Sequence, residues 1–165
     1  MDLLSELSMR IYEPPLSELR DSGALTDLSN PVSVVMLLID FETEVSMNGI
    51  ADYIGNSTGL YAKETVAALE VIGCKTAADV LGRILDVASN AGMTHESIQA
   101  ERSGLGPYAL TSFSEMHGGK WDLALDEVDR LCNTIDFEHV LREVAIFVAE
   151  HRATFERALG HSRER

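Results

Sequence analysis

The chain has 165 residues, 45% hydrophobic and 24% charged, and 27 acidic side chains face 13 Lys and Arg for a formal net charge of −14. This length supports one domain that buries roughly 70% of the surface its unfolded chain exposes, and the composition excludes disordered and fibrous classes. The charge repels nucleic-acid phosphates and anionic membrane surfaces and attracts basic proteins, so neither direct nucleic-acid binding nor membrane binding is expected; solubility is the plainer use of the same acidity.

Cys74 and Cys132 stand far apart without Cys-x-x-Cys spacing or companion histidines, which predicts reduced core thiols and no structural metal. Met1 to Glu6 lack the basic start and long apolar run of a signal peptide, and no window reaches the ~18 apolar residues of a membrane span. A cytoplasmic location is the expectation.

Leu3, Leu7 and Ile11 recur every fourth residue, predicting a short amphipathic helix closed by Glu13-Pro14-Pro15. Leu16 to Asp21 forms another turn, and a connector runs through Ser22-Gly23 to Ser29. Asn30 and Pro31 fit the N-cap and first position of the next helix, because proline lacks an N–H that this position does not need. From Val32 to Met47, Val34, Leu38, Phe41 and Val45 make one stripe that Val35, Leu37 and Ile39 widen, which predicts a central, largely buried helix. Asp40 and Glu44 share a face four residues apart, with no Lys or Arg between Asp21 and Ala62 to neutralise them. On this reading they form an acidic patch.

Asn48-Gly49 then predicts a left-handed C-cap. A short helical turn over Ile50 to Ile54 leads to the turn formers Gly55-Asn56-Ser57-Thr58-Gly59, and helical spacing resumes from Leu60 to Ile72 before Gly73 stops it. Glu44, Asn48-Gly49, Tyr53, Asn56-Ser57, Gly59, Glu64-Thr65, Ala68-Leu69 and Ile72-Gly73 occur in an order that resembles the signature of a bacterial family of unknown-function domains, one of which is a DNA mimic. Where that family has Asn-Gly-Gly, an aromatic residue and Gln-Tyr, this chain reads Asn48-Gly49-Ile50-Ala51-Asp52-Tyr53. The resemblance implies the family's fold, and for function an acidic protein that stands in for DNA on a basic partner. Taken without it, Asn48 caps, Tyr53 packs and Asn56 hydrogen-bonds the loop backbone.

Gly73-Cys74-Lys75 is a tight connection, and Thr76 with Asp79 resembles a capping box for a helix carrying Val80, Leu81, Ile84, Leu85 and Ala88 that ends near Asn90-Ala91-Gly92. Thr94 caps a further helix from His95 to Arg102. Ser103 to Pro107 and Gly118-Gly119 bracket loops with one short helical piece. Trp121, Leu125, Val128, Cys132 and Ile135 form an apolar stripe, and Asp122, Asp126, Asp129 and Asp136 are displaced from it by one residue, roughly 100° around a helix. Alternatively, Asp136 caps a fresh helix in which Val140, Leu141, Val144, Val148 and Phe155 face the core. Residues 161–165 read as a disordered tail. No alternating strand pattern or internal repeat occurs, so the expected architecture is all-α, a single compact multi-helix domain over residues 1–160.

His95, His117, His139 and His151 have no companions at a diagnostic catalytic or ligand spacing, and Gly118-Gly119-Lys120 lacks the upstream glycine of a phosphate cradle. The reading is a non-enzymatic protein without metal or cofactor. Two carboxylate groups at helical spacing, Asp40 with Glu44 and Asp122, Asp126, Glu127 with Asp129, are the candidate contacts for a basic DNA-binding protein such as a transcription regulator. Arg130, four residues after Asp126, is expected to neutralise that end. The competing expectation is an immunity-type or scaffold domain whose partner does not bind nucleic acid; neither reading specifies the oligomeric state.

Overall fold

The computed structural model describes residues 3–104 and 112–160. Every regular element among them is helical: α1 (Leu3–Arg10), α2 (Leu16–Asp21), α3 (Pro31–Asn48), α4 (Ile50–Gly55), α5 (Ala62–Val71), α6 (Lys75–Asn90), α7 (His95–Arg102), α8 (Phe113–Met116), α9 (Asp122–Cys132), α10 (Phe137–Glu150) and α11 (Arg152–Ala158), with short 3-10 turns at Ala24–Thr26 and Ser57–Tyr61. The fold is all-α. The expected loop at Leu105-Gly106-Pro107 and the expected tail at 161–165 lie outside the described residues.

The axis of the fold is α3. Asn30 accepts from the Val32 N–H at 3.0 Å and Pro31 opens the first turn, as the sequence predicts. Every residue from Val32 to Phe41 is buried, which is the condition of a helix apolar on all sides. Its cover comes from α4, α5, α10, α11 and the Ala24–Thr26 turn, where buried Ser33 donates its hydroxyl to the Ala24 carbonyl at 3.2 Å. On the far side of α5, α6 packs against both α5 and α9, while α4 touches α7 and α9. One continuous core cluster runs from Leu7 on α1 to Leu159 after α11. Each fully buried Leu or Ile in it contributes about 1.5–3 kcal/mol relative to an exposed side chain.

Several local expectations change in three dimensions. Gly49 does follow the last residue of α3 at positive φ, but with φ 88° and ψ 169° it is not a left-handed helical cap. That conformation, favoured for glycine, passes the chain directly from α3 into α4, with the Tyr53 N–H bonding the Gly49 carbonyl at 3.1 Å. Thr76 and Asp79 do not cap α6. The helix begins one residue earlier, at Lys75, with Cys74 in the N-cap position and no side-chain cap. Asp136, by contrast, accepts from the His139 N–H at 2.9 Å and caps α10, so it belongs to a new helix rather than to the α9 row. Leu141 is exposed on α10, whose buried face is Val140, Val144 and Val148, and Phe155 reaches the core from α11 after the chain turns at His151.

The largest revision concerns Asp40. It is only 4% exposed, and Arg20 Nη2 donates to both carboxylate oxygens at 2.9 and 2.7 Å while the Tyr12 hydroxyl donates to Oδ1 at 3.1 Å. Asp40 therefore does not form an exposed acidic patch with Glu44. The neutralising base comes from α2, one residue before the base-free stretch that begins at Asp21. Burial pushes the Asp40 carboxyl above the usual carboxylate range, and the bonds and charge of Arg20 pull it back only in part.

Two consequences for stability follow. Replacing Arg20 by alanine leaves a buried charge without its partner, so urea denaturation at neutral pH should show a loss of about 3 kcal/mol, the range seen when one member of a buried pair is removed. Because Asp40 is already raised, protonating it removes the unpaired charge, and the loss should shrink as pH falls into the carboxylate range; a loss under about 1 kcal/mol at neutral pH, or one that is independent of pH, would show that the pair does not hold the fold. Gly59 gives the second test, because a Cβ there would lie 2.3 Å from the Tyr53 carbonyl oxygen and 2.6 Å from that of Ile54. Gly59→Ala should cost more than about 2 kcal/mol by forcing backbone apart, whereas Gly82→Ala in α6, where a Cβ meets nothing within 4 Å, should stabilise by about 0.5–1 kcal/mol.

Candidate partner-binding surface

The α9 surface is built from the same stripe that anchors it. Ala124, Val128, Leu131 and Cys132 are buried and turn toward the core, with Trp121 just before the helix also buried. One position on, Asp122, Asp126 and Asp129 are exposed. Asp126 and Asp129 make no side-chain hydrogen bond or ion pair with any described residue, and Asp122 accepts a short bond from the Ser114 hydroxyl of α8. Although exposed, Asp129 titrates above the ordinary aspartate value, first because neighbouring protein partly strips its carboxylate of water and then because of the Asp126 charge. Two carboxylates in close succession thus repel one another with no base bonded to either.

Glu127 behaves differently from the three aspartates. Arg130 grips it with Nε to Oε2 at 2.9 Å and Nη2 to Oε1 at 2.7 Å, and this bond lowers the Glu127 pKa, with Arg83 of α6 adding to it. The expected neutralisation of Asp126 by Arg130 does not occur; the i,i+3 partner wins because the guanidinium meets that carboxylate with two nitrogens. Leu123 directly follows Asp122 and is 88% exposed. The surface therefore holds one aspartate bonded to a serine, two with no side-chain bond to any described residue and one paired glutamate, with an exposed apolar side chain beside them.

Around the signature residues the structure shows a closed network instead of a contact surface. Glu44 Oε2 accepts from the side-chain amides of Asn56 at 2.8 Å and Asn48 at 3.3 Å. Asn56 in turn accepts from Arg102 Nη1 at 3.0 Å, and Arg102 Nη2 closes a short ion pair with Asp52. Gln99 reaches the Gly55 carbonyl from the same helix. Asn56 thus joins α3 to α7 through side chains, where the sequence suggested a bond to its own loop backbone. Glu44 is half-buried with its Oε2 occupied by these amides. Tyr53 does pack: it is 1% exposed, edge-on to Phe41 with centroids 5.0 Å apart, and its hydroxyl donates to Thr65 Oγ1 at 3.0 Å.

Sequence spacing missed Arg20 and Arg102, and it gave no sign that His117, one of the four candidate histidines, is buried. Arg20 and Arg102 lie 20 and 50 residues from the carboxylates they meet, so no helical periodicity relates them. Among the described residues no group of three or more His, Cys, Asp or Glu is placed to hold a metal ion, and no helix is long and apolar enough to cross a membrane. A cleft of about 390 Å³ does bring Lys63, Glu64, His95 and Glu96 together beside Leu85 and Met93. No hydrogen bond among those four side chains makes a nucleophile–base pair. Both cysteines are buried free thiols, and burial pushes Cys132 up to about 11.

A family model described as DMP19-like protein matches residues 26–151. No curated protein and no solved structure matches the chain. The matched span runs from the Ala24–Thr26 turn through α10 and contains the Glu44–Gly73 network and α9, while α1, α2 and α11 lie beyond it. The chain belongs to the DMP19-like protein family, a family that includes a DNA mimic.

Proposed function

We propose that this protein is a non-enzymatic DNA mimic that occupies the DNA-binding surface of a basic protein, such as a transcription regulator, through α9. The observation that carries the reading is the row Asp122, Asp126 and Asp129, exposed and with no base bonded to them among the described residues. Carboxylates three or four apart on a helix sit roughly 5–6 Å from one another, comparable with the ~3.4 Å rise per nucleotide along one strand of a phosphate backbone. A groove that binds phosphates through Lys and Arg meets a similar run of negative charge here, and the −14 net charge steers approach from a distance. Glu127 belongs to the same surface but presents its charge only when Arg130 is displaced. Asp40 and Glu44 support the reading only indirectly: Asp40 ties α3 to α2, and Glu44 ties α3 to Asn56 at the end of α4, which packs on α9.

The test is capture from the native host followed by DNA competition. The captured partner should bind DNA, and it should release that DNA as this protein is added. Changing Asp122, Asp126 and Asp129 together to asparagine should weaken capture by about tenfold or more, the equivalent of ~1.4 kcal/mol, while leaving stability within about 0.5 kcal/mol. Arg130→Gln should act in the opposite sense and tighten capture, because it releases Glu127. Association should slow as salt rises, since opposite charges are screened beyond roughly 8–10 Å at physiological ionic strength. A partner without DNA-binding activity would point instead to an immunity-type or scaffold domain. Capture that is indifferent both to the asparagine changes and to salt would remove the electrostatic mimic altogether.

A further inference from the structure

His117 follows α8 and is only 5% exposed, yet neither of its ring nitrogens has a hydrogen-bond partner among the described residues. Its ring lies between two aromatic neighbours, with centroids 4.3 Å from Phe113 and 5.0 Å from Trp121. A buried polar side chain with no partner is uncommon in a native fold and calls for a reason. The charged groups that face it are Glu101 and Arg102 from α7, Asp52 from α4 and Lys120 from the turn before α9. Both carboxylates are already engaged, Asp52 with Arg102 and Glu101 with Lys120 at 2.9 Å. The two cations also sit against the flanking rings, Lys120 over Trp121 at 4.9 Å and Arg102 over Phe113 at 5.9 Å. An imidazolium at this position would be a third cation in a cluster whose anions are taken.

The element that His117 holds is small. α8 spans four residues, capped by Ser112 and Glu115, and beyond this aromatic stack it is tied to α9 by the bond from Ser114 to Asp122. The position of His117 at the helix C-terminus favours a cation, but a single turn supplies only a weak dipole to offset the burial.

We infer that residues 112–121 form a pH-sensitive latch, in which protonation of His117 releases α8 from Trp121, frees Asp122 from Ser114 and uncovers the Arg102 side of the network. Burial, then the charge of Arg102, holds the His117 imidazole below its ordinary value, with Glu101 and Asp52 opposing in part. The sign follows from that depression: the opened segment takes up the proton first. The closed latch is fully favoured above about pH 6.5 and loses its advantage as pH falls from there toward the depressed value. The latch is a property of the chain alone and stands or falls independently of what α9 binds.

Amide hydrogen exchange on the full chain at pH 7.5 and 5.0, corrected for the intrinsic pH dependence of exchange, tests it. Opening of the segment around Met116 to Asp122 should rise by a factor approaching about 30 between these pH values, the limit for a group with an ordinary value near 6.5 when open, while α3 changes little. His117→Phe, which keeps an aromatic ring in the stack without a titrating group, should abolish the rise. An increase below about threefold in the native chain, or an equal increase in the phenylalanine variant, would overturn the latch. Should that variant not fold, NMR titration of the His117 ring in the native chain decides: a midpoint depressed below about 6.5 with a concerted shift of the Trp121 indole supports it, and a midpoint at or above that value overturns it.

Discussion

Asp40 carries a carboxylate on a helix surrounded by protein, and the arrangement of the N-terminal third answers that single burial. A charge removed from water on α3 needs a counter-charge and a donor close enough to share its lone pairs. Arg20 and Tyr12 supply both, and they come from segments that lie before residue 26. Arg20 also donates to the Ile11 carbonyl at 3.3 Å and lies over the Tyr12 ring at 4.8 Å, so one guanidinium ties the end of α1, α2 and α3 together. Leu7, Ile11, Leu16 and Leu25 close the same face of the core. The described residues before the family match thus cover the core at one end, and α11 with Phe155 covers it at the other.

The residues that announce the family turn out to describe a joint. Gly49 swings the chain from α3 into α4, Tyr53 plugs the gap against Phe41 and Thr65, Gly59 lets backbone pass against the end of α4, and Glu44, Asn56, Asp52 and Arg102 bind α3, α4 and α7 through side chains. Half-buried charges linked in this way resist the rearrangements that a single surface pair permits. Such a joint specifies how the helices meet and leaves the outward faces of this chain free to carry other charges.

The outward faces carry the acidity very unequally. Two of the six carboxylates at the candidate positions, Asp40 and Glu127, are matched to an arginine, and Glu44 to amides. Among the described residues, Asp126 and Asp129 have neither a base nor an amide bonded to them, and Asp122 has only the Ser114 hydroxyl. The difference is geometric. Glu127 takes two guanidinium nitrogens of Arg130 three residues on, so Asp126, four residues before the same arginine, has no bonded base among the described residues. Net charge alone would not separate these cases, because burial and pairing decide how much of it a partner meets.

Much of this was legible in the residues themselves. The caps at Asn30 and Thr94, the breaks at Gly73 and Gly92, the all-helical architecture and the inward stripes of α3 and α9 follow from periodicity and end chemistry within a few residues of one another. So did the resemblance carried by Glu44 to Gly73, and the offset of Asp122, Asp126 and Asp129 from their apolar neighbours. Tertiary structure alone decided that Asp40 is buried and answered by Arg20, that Asn56 reaches α7, that Thr76 does not cap α6 and that His117 sits between two rings without a hydrogen-bond partner among the described residues. The physical reason is range. Helical periodicity and capping are set by hydrogen bonds within about four residues, but a buried charge finds its partner wherever packing brings one, and that distance along the chain follows no period.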